Sequence, residues 1–178
     1  MPAPEPSKIL RLALIGLPGS GKSTLGQLLS RALALPLIDS DTCFEKESGR
    51  QIAEVFAQGE EPLFRAWERA WLSQLHALPA CIISTGGGMP CQAQAMEALK
   101  AHCLTIWLQC PTDQIWERLK SLSHPMIRSR NRKAFEDLAL QREPFYRQAH
   151  WHINAQSTPE ELSKHILERL QAEFGSQF

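Results

Sequence analysis

The chain has 178 residues, of which 43% are hydrophobic and 21% are charged, and 19 basic residues balance 19 acidic ones. This length predicts a single domain over residues 1–178, with enough apolar side chains for a proper core. A net charge of zero gives no reason to expect nucleic acid or an acidic membrane surface as a partner. No apolar run approaches the length that a membrane-spanning helix needs. We therefore expect a globular domain with a small-molecule ligand.

Cysteine usage and the first residues indicate a cytoplasmic location. Five cysteines, an odd number, form no Cys-X-X-Cys pair, and several lie in apolar runs where free cysteine acts as a small hydrophobe. This usage is typical of a reducing compartment rather than of a disulfide framework. Residues 1–7 contain three prolines and lack the apolar core of a signal peptide. We expect a loose tail there.

Short apolar runs alternate along the chain with helical patterns. The predicted strands are 9–15, 37–39, 81–84, 104–109 and 151–154, and most are continuously hydrophobic, as in strands covered on both faces. The predicted helices are 22–35, 52–56, 63–78, 92–102, 112–119, 134–148 and 159–174. The last begins with a cap at Thr158, a first-turn proline and Glu161 of a capping box. Regular alternation predicts a three-layer α/β/α sandwich around a five-stranded parallel sheet.

Residues 16–24 read Gly-Leu-Pro-Gly-Ser-Gly-Lys-Ser-Thr and match the phosphate-loop pattern G-x-x-x-x-G-K-[ST]. A predicted strand precedes them and a predicted helix follows, which is the context the pattern needs. Glycines let backbone N–H groups surround phosphate oxygens, and the helix adds its positive N-terminal end. Lys22 then reaches the β- and γ-phosphates while the Ser23 hydroxyl holds Mg²⁺. The segment predicts binding of a nucleoside triphosphate with its metal ion.

Such a site needs a carboxylate for the metal, and the predicted strand 81–84 ends without one. Asp39-Ser40-Asp41 follows another strand, where alternate residues of an extended segment would share a face. One carboxylate could then orient Mg²⁺ through water while the other contacts an acceptor hydroxyl. The alternative is an aspartate-rich turn that caps the next helix.

Three further features point to a ligand at the same edge of the sheet. Gly86, Gly87 and Gly88 follow a predicted strand, and such a run suits close approach of a ligand to the backbone, although a plain turn is the alternative. Arg65 and Glu68 lie three apart on a helix and can pair, either on the surface or facing a cleft. Arg142 is a second arginine suited to an anion.

Residues 121–133 show no clear period and carry Arg128, Arg130, Arg132 and Lys133. A solvated basic loop and a mobile lid over the nucleotide both fit this composition. The phosphate loop favours the lid, because arginines on a closing segment exclude water and neutralise charge during phosphoryl transfer.

Taken in order, these segments resemble the shikimate kinase family, small relatives of the nucleoside monophosphate kinases. The matching pieces are residues 16–24, Asp39-Ser40-Asp41, residues 48–56 leading through Gly59-Glu60 to Phe64-Arg65 and Glu68, Gly86-Gly87-Gly88, and Arg142 with Pro144 and Tyr146. The resemblance runs from about Leu10 to Leu170 and implies a P-loop kinase fold with a lid. It implies transfer of the γ-phosphoryl group of ATP to the 3-hydroxyl of shikimate, in aromatic amino acid biosynthesis.

The resemblance also implies roles for individual residues. ATP would be held by Gly19, Ser20, Gly21, Lys22, Ser23 and Thr24, with Lys22 on the transferred phosphate and Mg²⁺ on Ser23 and Asp39. Asp41 would contact the shikimate hydroxyls and accept the proton of the attacking one. Arg65, steadied by Glu68, and Arg142 would bind the substrate carboxylate. Gly86, Gly87 and Gly88 would also bind the substrate, with Gly87 offering its backbone N–H. Arg118 and Ser157 would flank the adenine, and we expect a monomer.

The lid departs from the family pattern. Where the family carries Arg-Pro-Leu-Leu, this chain has His124-Pro125-Met126-Ile127, and a histidine is mostly neutral at pH 7 and lacks the arginine fork. The hypothesis is that Arg128 or Arg130 contacts the nucleotide phosphates in place of the lid arginine that is missing at His124. Two other functions are weighed: a related kinase for another small hydroxy acid or sugar acid, and a kinase-derived binding module without catalysis.

Overall fold

Five parallel strands form the centre of the computed structural model, which describes residues 10–121 and 131–175. They are β1 (Arg11–Ile15), β2 (Leu37–Asp39), β3 (Cys81–Ser84), β4 (Leu104–Gln109) and β5 (Trp151–Asn154). The order across the sheet is β2-β3-β1-β4-β5, and each neighbouring pair is parallel. The predicted five-stranded parallel sheet is therefore confirmed, with β1 beginning at Arg11.

Helices cover both faces of this sheet. They are α1 (Lys22–Leu33), α2 (Ser40–Ser48), α3 (Ile52–Ala57), α4 (Glu61–Ser73), α5 (Ala95–His102), α6 (Thr112–Ser121), α7 (Arg132–Tyr146) and α8 (Pro159–Phe174). The predicted helix at 63–78 is shorter, because a separate 3-10 turn, Leu75–Ala77, follows α4. Another 3-10 turn, Met89–Cys91, delays the start of α5. None of the helices within the described ranges is long and apolar enough to cross a membrane.

Continuous hydrophobicity in the strands is explained by two apolar clusters, one on each face. In β1, Leu12 and Leu14 pack on the side of α1 and α8, while Ala13 and Ile15 pack on the side of α4, α5 and α7. All four side chains are buried, because successive residues of a strand point to opposite faces. The capping box of α8 is present as predicted, with the Thr158 hydroxyl accepting from the Glu161 N–H.

The ends of α6 and α7 bound the predicted lid at 121–133. Ser121 ends α6, and Arg132 and Lys133 belong to the first turn of α7, whose N-cap Asn131 accepts a hydrogen bond from the Ala134 N–H. These three residues are therefore helical rather than part of an irregular segment. His124, Arg128 and Arg130 lie outside the described residues, as does the predicted tail at 1–7.

Candidate active site

The loop between β1 and α1 has the backbone that its glycines predict. Gly16, Gly19 and Gly21 all have positive φ, a region that L side chains rarely adopt. At Gly19 there is also no room for a side chain, because a Cβ would lie 2.9 Å from the Leu119 Cδ2 atom of α6. The loop therefore keeps a close contact with α6 at Gly19.

Lys22 begins α1 and is almost completely buried beneath this loop. Its ammonium donates to the carbonyl oxygens of Gly16, at 2.9 Å, and Leu17, at 2.8 Å. Burial lowers the pKa of Lys22 to about 8, against the raising effect of Asp41. The cation is thus held at the loop by backbone carbonyls, within electrostatic reach of Asp41 and Arg142.

Asp39 ends β2 and is also the N-cap of α2. Its Oδ1 atom accepts hydrogen bonds from the Asp41 and Thr42 N–H groups, both at 3.1 Å. Residues 39–41 therefore do not form the expected extended segment, and the alternative, a turn that caps the next helix, is correct. The carboxylate of Asp39 satisfies N–H groups that the first helical turn leaves free. Asp41 reaches the cavity from the first turn of α2 rather than from a shared strand face.

The second oxygen of Asp39 belongs to a small group of oxygen donors. Asp39 Oδ2 lies 3.5 Å from the Ser23 hydroxyl, and this hydroxyl lies 3.4 Å from that of Ser84. Ser84 pairs with Asp39 in the sheet, so the register of β2 and β3 sets this meeting. Such hard oxygen ligands, with a single carboxylate, suit Mg²⁺, which usually retains waters and binds substrate phosphates. Ser84 was not predicted, because nothing in the sequence shows the strand pairing.

Asp41 is a partly buried carboxyl group beside the triple glycine. Burial raises the pKa of Asp41 to about 6, and the neighbouring Asp39 raises it further, while Lys22 opposes this. A Cβ on Gly86 would lie 2.4 Å from the Asp41 Oδ1 atom. Glycine at 86 is therefore required for this carboxylate to sit against the backbone.

Each glycine of the run 86–88 faces a different predicted site group. Gly86 lies beside Asp41. A Cβ on Gly87 would lie 2.6 Å from the Pro18 ring and 3.2 Å from Arg142 Nη1. A Cβ on Gly88 would lie 2.8 Å from Arg65 Nη1. Within the described ranges, no protein group accepts a hydrogen bond from the Gly87 or Gly88 N–H. The turn thus brings backbone donors and two guanidinium groups to one place.

Arg65 is fixed by two carboxylates of its own helix. Its Nη1 atom donates to Glu68 Oε2 at 2.7 Å, and its Nε and Nη2 atoms donate to Glu61 Oε1 at 3.0 and 2.8 Å. Glu68 is fully buried and also accepts from Gln92 Nε2 at 2.5 Å. The Arg65–Glu68 pair is thus a cleft-facing one. The predicted pairing missed Glu61 and Gln92, since one lies a turn earlier and the other beyond β3.

Arg142 faces the same turn from α7. Its Nη1 atom is buried and has no hydrogen-bond partner among residues 10–121 and 131–175. Since burying an unpaired guanidinium donor is costly, this atom is available to a group other than the described residues.

A single cavity of about 1440 Å³ connects these groups. Its lining includes the predicted residues Gly19, Ser20, Gly21, Lys22, Ser23, Thr24, Asp39, Asp41, Arg65, Gly86, Gly87, Gly88, Arg118, Arg142 and Ser157. Arg118 is exposed, and its Nη1 atom lies 3.6 Å from Cys110 Sγ. The structure therefore brings together all the described residues of the predicted site around one cavity. His124 and Arg128 lie outside the described residues.

Comparisons with known proteins agree with this geometry. Residues 18–171 match the family model described as shikimate kinase. The shikimate kinase of Microcystis aeruginosa is 37% identical over 162 residues, which cover 89% of this chain and 85% of that protein. The one from Synechococcus sp. is 34% identical over 182 residues, with coverage of 98% and 96%.

Solved structures extend the likeness to the fold. Shikimate kinase from Acinetobacter baumannii in complex with shikimate matches with a TM-score of 0.84 at 29% identity, over 92% of this chain and 94% of that chain. Deoxyadenosine kinase from M. mycoides with bound dCTP matches with a TM-score of 0.65 at 15% identity, which concerns the fold alone. The predicted P-loop kinase architecture is thereby confirmed, and the chain belongs to the shikimate kinase family.

Proposed function

We infer that the chain transfers the γ-phosphoryl group of ATP to the 3-hydroxyl of shikimate, a step in aromatic amino acid biosynthesis. One observation carries this inference beside the family membership: a single cavity joins the phosphate loop to a carboxyl group and two arginines. A kinase for a small acidic alcohol needs this combination, with phosphate binding at one end and carboxylate binding at the other.

We propose that the acceptor is oriented by its carboxylate. Arg65 keeps two N–H groups, one on each terminal nitrogen, after its three hydrogen bonds to Glu61 and Glu68. Arg142 adds its buried Nη1 donors, and the N–H groups of Gly87 and Gly88, which no described residue accepts, belong to the turn beside both guanidinium groups. Together these donors fix an anion in one orientation, which leaves a ring hydroxyl near Asp41.

The donor end of the cavity is assigned to ATP. Residues 19–24 would surround the phosphates, and Lys22 would exchange its carbonyl partners for oxygens of the transferred group. Mg²⁺, when bound, supplies positive charge to the β- and γ-phosphate oxygens. Ser23 would ligate it directly, while Asp39 and Ser84 would hold its waters, since both lie near the Ser23 hydroxyl. Arg118 and Ser157 are proposed to flank the adenine, with His124 and Arg128 in the lid.

We propose that Asp41 accepts the proton of the attacking hydroxyl. The hydroxyl oxygen forms a bond to the γ-phosphorus, the bond from that phosphorus to the bridging oxygen of ADP breaks, and the proton moves to the Asp41 carboxylate. A pKa of about 6 keeps Asp41 mostly ionised at pH 7 yet makes it a better base than an ordinary aspartate. Lys22 stabilises the negative charge of the oxygens during transfer.

The pH dependence of kcat/KM for ATP follows from these two groups. Asp41 must be ionised, so activity falls as the pH drops below about 6. Lys22 must be protonated, so activity falls as the pH rises above about 8. We expect a bell-shaped profile, because kcat/KM reports groups of the free enzyme. An acid limb near the ordinary aspartate pKa would contradict the role of a buried Asp41.

A coupled ADP-release assay tests the function directly. Purified protein is given MgATP with shikimate, or with a panel of other hydroxy acids and sugar acids that includes gluconate. Release that depends on shikimate supports the proposal. Release with a different acid alone favours the related kinase, and no release with any acid, despite measurable ATP binding, favours the non-catalytic module.

We further propose that the protein acts as a monomer in the cytoplasm, with neither nucleic acid nor membrane as a partner. The support for a monomer is that one cavity within a single chain is lined by all the described residues assigned to these ligands. The support against a nucleic acid or an acidic membrane is the net charge of zero. Sedimentation of the protein during turnover tests whether the active species is a monomer. Activity that disappears when dilution leaves only monomers would contradict this proposal.

A further inference from the structure

We propose that Tyr146 is a positioning residue for the acceptor. Its hydroxyl sets the orientation of the Gly87 peptide and holds this peptide beside the helix that carries Arg142. This inference deepens the proposed function and rests on it. Tyr146 is almost fully buried at the end of α7, and its hydroxyl donates to the Gly87 carbonyl oxygen at 2.5 Å. It lies on the same helix as Arg142, one turn later, so one helix turn holds two groups that meet the glycine turn.

The direction of the Gly87 carbonyl controls the next N–H group. In a trans peptide the C=O of one residue and the N–H of the next point in opposite directions, and the described residues contain no cis peptide. When Tyr146 fixes the Gly87 carbonyl toward α7, the Gly88 N–H is turned the other way. Gly88 lines the cavity and lies against the Arg65 guanidinium. The tyrosine hydroxyl therefore orients a backbone donor that it does not touch.

Glycine makes this control necessary. Gly86, Gly87 and Gly88 have the widest choice of backbone conformations, and a peptide flip among them would cost little without an external bond. Gly87 also lies close to the phosphate loop, because a Cβ on it would be 2.6 Å from the Pro18 ring. The Tyr146 bond thus fixes the peptide at the point where the ATP loop and the acceptor site meet.

The surroundings keep this hydroxyl a donor. Burial raises the pKa of Tyr146 well above its ordinary value, so the phenol stays protonated at every pH at which the enzyme would work. The centroid of the Tyr146 ring lies 6.0 Å from that of the Trp107 ring of β4, so packing in the core fixes the position of the tyrosine. Cys91 of the following 3-10 turn is a second, weaker donor, with its Sγ 4.0 Å from the same carbonyl oxygen.

The test compares Tyr146→Phe with the intact protein. We expect KM for shikimate to rise about fivefold to tenfold, with KM for ATP unchanged and kcat changed by less than about twofold, since one net hydrogen bond is lost from the acceptor site. The matched control is Thr105→Val, which removes a buried hydroxyl that accepts from the His150 N–H at 2.9 Å, away from the cavity. Thr105→Val should lower Tm and leave KM for shikimate unchanged.

An unchanged KM in Tyr146→Phe, or an equal rise in Thr105→Val, overturns the inference. Because Tyr146 is the single tyrosine of the chain, 3-fluorotyrosine labels it alone and provides a second measurement if the phenylalanine variant fails to fold. Its fluorine resonance should shift when shikimate is added, and a resonance that stays in place also overturns the inference. Failure of the intact protein to use shikimate would instead remove the proposed function.

Discussion

Replacing Asp41 by asparagine should lower kcat by about 10²- to 10⁴-fold, the usual contribution of a positioned acid or base. Asparagine keeps the shape of the side chain and its hydrogen bond to a hydroxyl, but it cannot take a proton. The phosphate loop does not depend on Asp41 for its conformation, so Kd for ATP should change little. Asp41 raises the pKa of Lys22, so ATP binding is best measured at pH 6.5, where Lys22 stays protonated in both proteins.

The matched control for this change is Asp137→Asn on α7. Asp137 is half exposed and pairs with Lys133 at 3.4 Å, an arrangement worth little at a surface. It should leave both kcat and ATP affinity intact. Equal losses of turnover and ATP affinity in Asp41→Asn would remove Asp41 from the acceptor role and place it in nucleotide binding.

The fold was largely predictable because its strands and helices have strong local patterns. Continuous apolar runs identified the strands, and the phosphate loop supplied the order of strand, glycine turn and helix at the start. α2 was missed because its residues Ser40–Ser48 have a weak apolar face and follow a strand directly. Asp39 is both the last residue of β2 and the N-cap of α2, and hydrophobic periodicity does not predict such a double role.

The site was predictable where one motif carries the chemistry and not where distant segments meet. Lys22 and Ser23 follow from a local pattern, and the roles of Arg65 and Arg142 followed from the family resemblance. Ser84 joins Ser23 only through the sheet register, and Gln92 reaches Glu68 from beyond β3. Such contacts depend on tertiary packing, which no spacing in the sequence records.

The glycine run shows how little tolerance the site has. A Cβ on Gly86 would meet Asp41, one on Gly87 would meet Pro18 and then Arg142, and one on Gly88 would meet Arg65, so a side chain at each position would displace a different group. Displacements of about 1 Å at such positions can cost a hundredfold in rate. Three neighbouring residues thus lie between the proposed acid-base group and both arginines of the proposed anion site.

Replacing Arg142 by lysine should lower kcat/KM for shikimate by about 10- to 150-fold, the effect of one charge-assisted hydrogen bond. Lysine keeps the positive charge but loses the planar fork, and it cannot place a donor where the buried Nη1 atom now lies. Kd for ATP should be unchanged, because the phosphate loop and Ser23 are intact.

Arg147→Lys is the matched control, since Arg147 ends the same helix, is largely exposed and pairs with Glu143 at 2.6 Å. It should behave like the intact protein. A further comparison identifies the partner of Arg142: replacing the carboxylate of the acceptor by a neutral amide should cost more affinity in the intact protein than in Arg142→Lys. If the variant and the intact protein lose affinity for this analogue equally, Arg142 does not bind the carboxylate, and Arg65 with the glycine N–H groups must hold it alone.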